Sequence, residues 1–413
     1  MNTLVRPFAA LRPVPEHAAA VIAPPYDVVS TAEARALVAG QPNSFLHVSR
    51  PEIGLPDGTD PYSDAVYARA RENLERLKAL GLLIRDPVPA YYAYRMRMGE
   101  HEQTGIALTA SIAAYDANRI RKHERTRPAK ENDRVRNMKF LNAQTGPVLS
   151  AYRADATLKA LLEEIKAGEP LFEVTGQYDV VHTVWSAHEP ARVAAISAAF
   201  DAMEAIYIAD GHHRLAAASR LAAERRAGEP LGASASYEYF LTVVFPHDEM
   251  EILDYNRVVA DLSGLKPADL LEKTGERFDV GASDGPAKPA GPGAFGMYLD
   301  GQWHRLLIRR ELIPDHDPVA RLDVQLLQDH LLAPLLGVGD PRTDPRIDFV
   351  GGVRGLAELE RRVDSGEAAA AFALYPTSMD QLMAVADAEQ LMPPKSTWFE
   401  PKLADGLLTH VLD

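Results

Sequence analysis

The sequence predicts a mixed α/β protein, and three observations favour this fold class. Strand-like apolar runs alternate with helix-like runs between residues 146 and 246, a pattern typical of α/β folds. Residues 62–83 place apolar side chains at helical spacing with charged residues between them, which indicates an amphipathic helix. The chain has 413 residues, more than one hydrophobic core usually organises, so we expect two or three packed units.

The first elements follow from local signals. Two prolines and an Asp precede Ser30 and Thr31, either of which is a suitable N-cap for a helix over 31–40. After the amphipathic helix, residues 89–99 and 102–116 are rich in aromatic and β-branched side chains and are separated by a short polar break. This arrangement predicts a β-hairpin.

The later elements are predicted by the same periodicities. The strands and helices expected in the middle of the chain are strand 146–152, helix 156–168, strand 178–185, helix 189–202, strand 205–209, a helix ending near 228, and strand 237–246. The Gly/Pro/Ala-rich stretch 282–295 is the clearest loop or linker signal. Beyond it we expect a hairpin over 296–310, a helix over 324–336 and a final block over 391–408. The domains expected from these signals are 1–150, 151–281 and 296–413.

Composition excludes several classes of function. Hydrophobic residues make up 46% and charged residues 25% of the chain, a profile of folded globular proteins. No uninterrupted apolar run of about 18 residues and no signal-peptide pattern is present, so we expect a cytoplasmic protein that does not enter a membrane. The absence of cysteine rules out disulfides, thiolate catalysis and cysteine zinc sites. The net charge of −14 argues against binding to nucleic acid.

One segment opposes the acidic balance of the chain. Residues 119–139, RIRKHERTRPAKENDRVRNMK, contain nine Lys/Arg and three Asp/Glu. A basic island of this kind suits a compact anionic ligand such as a nucleotide, although a solvated helix face with ion pairs accounts for it equally well.

The richest chemistry lies at residues 205–218, AIYIADGHHRLAAA, where a strand meets a helix across a glycine. The first N–H groups of a helix have no partners within the helix, and such an end binds anions. Gly211 allows close approach to a phosphate, Arg214 can bind it with two donors, and His212 or His213 can donate to its oxygens. Asp210 does not suit a simple phosphate site, so it caps the helix, binds Mg²⁺ or acts as a base.

Two alternative roles for these five residues stay open. Adjacent histidines diverge by about 100° on a helix, so a metal site lacks the usual ligand spacing, although the ligand types are present. A capped helix with polar surface residues accounts for each residue taken singly.

The motif DGHHR followed by an alanine-rich helix resembles the phosphate-binding motif of the ParB/sulfiredoxin-type nucleotide-binding fold, which also occurs in free L-serine kinases. Four further stretches widen the resemblance: PPYDV (24–28), HERTRPAKENDR (123–134), YNRVV (255–259) and PPKSTWFEPKL (393–403). Over nearly its full length the chain is similar to the bacterial and archaeal family catalogued as domain of unknown function 1015. The resemblance implies a ParB/sulfiredoxin-like core with additional α/β segments. It also implies phosphoryl transfer from ATP or ADP, with Mg²⁺, to the hydroxyl of free L-serine.

Phosphoryl transfer needs neutralised phosphate charge and a group that orients or deprotonates the attacking hydroxyl. We assign catalytic roles to Glu124, Asp210 and His213, with Glu131 and Asp133 as rivals of Glu124 for the base. The residues expected to contact the nucleotide are His123, Thr126, Lys130, Arg134, Gly211, His212, Arg214 and Lys395. The residues expected to contact the amino acid are Asp27, Tyr255, Asn256 and Arg257, and the expected metal ligand is Asp133.

Each of these roles has a structural alternative. Asp27 is equally suited to cap the next helix, and Asn256 and Arg257 are equally suited to satisfy loop carbonyls. A nucleotide-binding or nucleotide-hydrolysing module without kinase activity, and a metal-dependent hydrolase, are the alternative functions. The sequence indicates neither the nucleotide donor nor the oligomeric state.

Overall fold

The computed structural model describes residues 3–228, 232 and 234–413. The chain divides into two compact units: unit 1 is Met1–Met250 with Pro401–Asp413, and unit 2 is Glu251–Glu400. The chain therefore returns to unit 1 for its last residues. The boundary predicted at residue 150 falls inside a strand of unit 1, and the stretch 282–295 lies within unit 2.

Unit 1 is built around a nine-stranded sheet accompanied by two small two-stranded ribbons. The strands of unit 1 are β1 (Val5–Arg6), β2 (Leu11–Pro13), β3 (Leu83–Arg85), β4 (Tyr91–Met98), β5 (His101–Ser111), β6 (Ile120–Arg121), β7 (Ala143–Gln144), β8 (Val148–Tyr152), β9 (Phe172–Thr175), β10 (Val181–Ala187), β11 (Ile206–Asp210), β12 (Tyr239–Pro246) and β21 (His410–Val411). Their order in the large sheet is β6-β11-β8-β12-β5-β4-β10-β9, with β1 beside β5. The pairs β6–β11 and β8–β12 are parallel, and the other pairs of this sheet are antiparallel.

Helices pack around this sheet. The helices of unit 1 are α1 (Ala18–Val21), α2 (Thr31–Leu37), α3 (Leu46–Ser49), α4 (Asp64–Ala79), α5 (Ile112–Asp116), α6 (Pro128–Leu141), α7 (Ala156–Lys166), α8 (Pro190–Asp201) and α9 (His212–Gly228). Ser30 caps α2 and forms a capping box with Glu33, which satisfies two backbone donors at the start of that helix. The predicted amphipathic helix is α4, and its buried side chains include Val66, Leu74 and Leu77.

The core of unit 1 places the two chemically rich motifs side by side. Ile106, Ile208 and Phe240 of the large sheet lie in a buried cluster with residues of α7, α8 and α9, and a second cluster lies beneath α3 and α4. Helix α6, which carries the basic island, packs against α9, which follows DGHHR, and also against α4. The segments 123–134 and 210–214 are therefore neighbours in the fold.

Unit 2 has a six-stranded antiparallel sheet and one two-stranded ribbon. Its strands are β13 (Glu251–Leu253), β14 (Tyr255–Val259), β15 (Phe278–Ser283), β16 (Ala294–Leu299), β17 (Gln302–Ile308), β18 (Ile347–Gly351), β19 (Ala370–Leu374) and β20 (Trp398–Glu400). Its helices are α10 (Pro267–Thr274), α11 (Asp323–Leu327), α12 (Ala333–Leu336), α13 (Ala357–Asp364) and α14 (Met379–Asp387). The sheet order is β15-β17-β16-β19-β14-β18.

The predicted mixed α/β fold class is confirmed, and the differences are local. The hairpin expected over 89–116 is β4 and β5, and the helix-strand alternation from 146 to 246 is present. The strand expected from residue 178 begins at Val181, because Tyr178 and Asp179 have φ values of 57° and form part of a turn. The stretch 282–295 is no linker between units, since it connects β15 to β16 within one sheet. None of the helices in the part of the chain that the structure describes is long and apolar enough to cross a membrane.

Gly406 fixes the path of the returning C-terminal segment in unit 1. Its φ is +87°, and a Cβ at this position would lie 2.7 Å from the Cβ of Phe45. We expect Gly406→Ala to lower the free energy of unfolding by about 2–4 kcal/mol, because the left-handed backbone and the close contact both oppose a side chain. Urea denaturation measures the loss, and Gly40→Ala is the control, since Gly40 has φ +74° but no atom within 4 Å of the added Cβ. Equal losses in the two variants would contradict the steric part of this prediction.

Candidate functional site

The predicted strand-turn-helix junction is present at the end of β11. The buried apolar strand ends at Asp210, Gly211 makes the turn, and α9 begins at His212. Gly211 has φ +97°, and a Cβ there would lie 3.3 Å from the Cα of Val148 on β8. A residue without a side chain is therefore required at this turn.

Arg214 lies buried in the first turn of α9, where other parts of unit 1 hold its side chain. Its side chain is 8% exposed and forms an ion pair with Asp27, whose side chain is 41% exposed. Nη2 of Arg214 donates to both carboxylate oxygens of Asp27 at 3.2 and 3.0 Å, and Nη1 donates to the carbonyl of Pro147 at 2.7 Å. Asp27 therefore pairs with Arg214 and does not cap α2, where Ser30 is the cap.

The Asp27–Arg214 pair keeps both groups charged. Burial lowers the pKa of Arg214, but Asp27, Tyr26, Asp210 and Asp405 together outweigh this effect, with Asp27 the largest of them, and the net shift is upward. Burial likewise raises the pKa of Asp27, but Arg214 and then Lys402 outweigh it and bring the pKa below its usual value. The pair is therefore fully ionised at neutral pH.

A cavity of about 250 Å³ lies beside this ion pair. Its walls come from the loop before α2, from α3 and the turn that follows it, and from α4 and α6. Four of the residues predicted from sequence line it: Asp27, Lys130, Asp133 and Arg134. The fold thus brings the PPYDV segment and the basic island to one cavity.

Asp133 is held by other residues within that cavity. The Tyr67 hydroxyl donates to Oδ1 of Asp133 at 2.7 Å, and Nε and Nη2 of Arg134 donate to Oδ2 at 2.9 and 2.6 Å. The guanidinium of Arg134 also lies 3.9 Å from the ring centroid of Tyr26. Because both oxygens already accept hydrogen bonds, Asp133 is poorly suited to bind Mg²⁺. Among the described residues, no group of three His, Asp or Glu side chains forms a metal site.

His123 and His212 form a buried pair next to Asp210. Their rings meet edge to face with centroids 4.5 Å apart, and the backbone N–H of His123 approaches Nε2 of His212 at 3.5 Å. Nδ1 of His212 lies 3.6 Å from Oε2 of Glu124. Burial lowers the pKa of His123 to about 4, and burial together with the nearby His123 lowers the pKa of His212 well below its usual value. Both imidazoles are therefore neutral at pH 7.

His213 anchors the loop that precedes α6. Its Nε2 accepts a hydrogen bond from the backbone N–H of Arg127 at 3.0 Å, and burial lowers its pKa. In the same loop, the hydroxyl of Thr126 donates to Glu131, whose other oxygen accepts from Arg220 at 3.2 Å. The side chain of Glu131 is 16% exposed, whereas that of Glu124 is 53% exposed. This difference in exposure favours Glu124 over Glu131 as the acid that contacts a substrate.

Two residues that were not predicted from the sequence reach the site on the returning C-terminal segment. Nζ of Lys402 lies 3.8 Å from Oδ2 of Asp210. Asp405 is 1% exposed, and its burial raises its pKa to about 7 although Arg214 opposes the shift. Lys402 stands in the block PPKSTWFEPKL, from which Lys395 was selected instead. Asp405 has no local signal, since LADGLL suggests only a turn.

The remaining predicted residues contact one another in unit 2. Arg257 donates to the carbonyls of Tyr255 and, at 3.0 Å, of Lys395, and Nζ of Lys395 lies 5.6 Å from the Tyr255 ring centroid. Oδ1 of Asn256 accepts from the backbone N–H of Leu374 at 3.0 Å. These contacts correspond to the structural alternative, in which Asn256 and Arg257 satisfy backbone groups.

The fold and this site define a mixed α/β protein in which a strand, a glycine turn and the start of a helix lie beside a small polar cavity. Its sequence matches the family described as "Protein of unknown function (DUF1015)" over residues 5–325. Because the match spans most of the chain, the protein belongs to this family. Among curated proteins, no sequence matches it.

Solved structures show a weak overall likeness. SbnI with a C-terminal truncation, from Staphylococcus aureus, has a TM-score of 0.39 at 10% identity and covers 75% of this chain and 87% of its own. A free serine kinase variant in complex with AMP has a TM-score of 0.36 at 11% identity, covering 71% and 86%. A conserved hypothetical protein from Pyrococcus furiosus has a TM-score of 0.35 at 12% identity, covering 72% and 93%. These scores are too low to support a functional argument, so a functional proposal has to rest on the residues of this chain.

Proposed function

We propose that this protein is a small-molecule kinase that transfers a phosphoryl group from ATP or ADP to the hydroxyl of free L-serine. The observation that carries the proposal is the Asp27–Arg214 ion pair, which joins the start of α9 to the cavity lined by α4 and α6. A helix start is suited to a phosphate, and the adjacent cavity is suited to the group that receives it. Serine is the leading acceptor because the sequence motifs resemble those of free L-serine kinases.

The cavity has a size that suits a small acceptor. Its volume of about 250 Å³ is below the range of roughly 300–1,000 Å³ typical of sites for drug-sized ligands. An amino acid fits such a space, and the nucleotide then places only its terminal phosphate at the start of α9. Asp27 is ionised and lines the cavity, so it is suited to bind the ammonium group of the amino acid.

The reaction requires one acid near the acceptor hydroxyl. The serine oxygen attacks the terminal phosphorus of the nucleotide, the bond from phosphorus to the bridging oxygen breaks, and its electron pair stays on the departing nucleotide. The hydroxyl proton passes to a carboxylate, for which we assign Glu124. Asp210 and His213 position the phosphate-binding turn: Oδ1 of Asp210 accepts from the Gly211 N–H at 2.8 Å, and His213 holds the Arg127 N–H.

Mg²⁺ is not assigned to a protein site. Asp133 does not fit as its ligand, because Tyr67 and Arg134 already occupy both of its oxygens. Mg²⁺ therefore enters the assay only as the ion that nucleotides carry in solution.

Phosphorus NMR tests the reaction directly. Purified protein is incubated with Mg²⁺, L-serine and either ATP or ADP in separate samples. Formation of O-phosphoserine at the expense of one nucleotide is the expected result, and that nucleotide is the donor. Nucleotide hydrolysis without phosphoserine would favour the nucleotide-hydrolysing module instead. Binding and hydrolysis both absent would overturn the proposal.

Glu124→Gln is expected to lower kcat by about 10²- to 10⁴-fold, because the amide accepts no proton from the serine hydroxyl. Steady-state phosphoserine formation measures the change. Glu75→Gln is the matched control: Glu75 also has a half-exposed side chain and pairs with Lys78 on the surface of α4. A Glu124→Gln protein with the turnover of the control would remove Glu124 from the mechanism.

A further inference from the structure

The phosphate proposed to bind at the start of α9 lacks an obvious cation in the motif itself. Arg214 is the arginine of DGHHR, but its guanidinium is 8% exposed and is held by Asp27 and Pro147. A phosphate reaches these donors only by displacing Asp27. Asp27 and Asp210 also add negative charge on this side of the site, which repels a phosphate.

The C-terminal segment supplies a cation at this point. It returns to unit 1 as Pro401–Asp413, and Asp405 forms two backbone hydrogen bonds with Ala23, of 3.1 and 2.9 Å. Ala23 directly precedes the PPYDV segment, so one bridge fixes both the loop that carries Asp27 and the turn that follows Lys402. Gly406, packed on Phe45, holds the segment in place.

Lys402 offsets the negative charges of Asp27 and Asp210, which would otherwise repel a phosphate. Its Nζ is 3.8 Å from Oδ2 of Asp210, and its side chain remains 20% exposed. Its charge is also the second largest electrostatic influence that lowers the pKa of Asp27, after that of Arg214. The 3.8 Å separation is longer than a normal hydrogen bond. Because an ammonium carries three donors, Lys402 can contact a phosphate oxygen in addition to its protein partners.

We propose that Lys402 is the side-chain cation that binds the transferred phosphate at the start of α9. The inference rests on the proposed function and adds to it a binding residue that the sequence analysis did not select. Lysine is a compact charge with three donors, and such a group serves phosphate while keeping contact with a neighbouring carboxylate. In this arrangement Arg214 fixes Asp27, Asp27 faces the cavity, and Lys402 offsets the charge of Asp210 when the nucleotide binds.

Calorimetric titration of the full chain with ADP, ATP and adenosine tests this role. Lys402→Met keeps the length of the side chain and removes the charge, and we expect it to weaken ADP and ATP binding by about 10- to 100-fold. Binding of adenosine, which has no phosphate, is expected to stay within about twofold of wild type. Lys402→Arg is expected to recover most of the affinity, because it restores the charge.

Lys139→Met is the matched control, because Lys139 is a half-exposed lysine of unit 1 that pairs with Glu224 between α6 and α9. Equal nucleotide affinity in Lys402→Met and the control would overturn the role of Lys402 and leave the kinase proposal standing. Equal losses for adenosine and ADP would also overturn it, since they would indicate damage to the fold. A wild-type protein that binds neither nucleotide would overturn both proposals.

Discussion

An Arg214→Ala variant is expected to lose about 3 kcal/mol of unfolding free energy, the largest single loss among substitutions at the site. Removing one partner of a buried ion pair leaves the other charge uncompensated, which typically costs about 3–5 kcal/mol. The lower end of this energy range applies to Arg214, because the side chain of Asp27 is 41% exposed and water retains access to it. Loss of the 2.7 Å hydrogen bond to the Pro147 carbonyl adds to the same effect.

Urea denaturation of Arg214→Ala, Asp27→Asn and the double variant separates the contributions. If the loss in each single variant comes mainly from the charge left unpaired, the double variant is expected to lose less unfolding free energy than the sum of the two single losses. A third variant, Arg214→Lys, keeps the charge but lacks the fork that spans Asp27 and Pro147, so we expect an intermediate loss. An Arg214→Ala protein within about 1 kcal/mol of wild type would contradict the role of the pair as a structural link.

Local elements were predictable from the sequence because their signals are local. The spacing of apolar residues predicted α4, and the apolar run before Asp210 with the glycine after it predicted the junction of β11 and α9. Asp27 was also predicted as a site residue, from its position after two prolines. Its pairing with Arg214 was not predicted, because the two residues are far apart in the chain and neither local sequence indicates the contact.

The features that were not predicted depend on long-range connections. Nothing in residues 401–413 indicates that they return to unit 1, and so Lys395 was selected where Lys402 is the lysine beside Asp210. Likewise the glycines and prolines of 282–295 are equally compatible with a linker and with a loop between two strands of one sheet. Composition predicts that such a stretch is irregular, but the pairing of β15 and β16 with β17 decides where it lies.

Acidification is expected to destabilise unit 1 strongly, because the folded state buries several of its histidines in the neutral form. Burial lowers the pKa of His123, His182 and His410 to about 4, whereas an unfolded histidine titrates near 6.5. Between these two values the unfolded chain binds more protons than the folded one, so stability falls as the pH falls. Each histidine accounts for a loss of about 2 kcal/mol by pH 5, or about 6 kcal/mol together.

Protonation of Asp405 has the opposite effect on stability, so a variant of this residue tests the pH dependence most directly. Burial raises its pKa to about 7, above the unfolded value near 3.9, so the folded state binds the extra proton and gains stability as the pH falls from 7. This gain offsets about 2 kcal/mol of the histidine loss at pH 5. Asp405→Asn lacks the offset, so its stability is expected to fall more steeply than that of wild type between pH 7 and pH 5. Asp413→Asn, which alters an exposed carboxylate, is expected to follow wild type.

Urea titrations at pH 8, 7, 6 and 5, combined with hydrogen exchange of the β11 amides, measure this difference within unit 1. The exchange readout matters because β11 lies in the same core as the site, whereas the titrations report the whole chain. A wild-type free energy of unfolding that stays constant from pH 7 to pH 5 would show that the histidines are hydrated or protonated in the folded state. An Asp405→Asn profile parallel to that of wild type would show that proton uptake by the Asp405 carboxyl does not stabilise the folded state between pH 7 and pH 5, and would contradict the offset argued here.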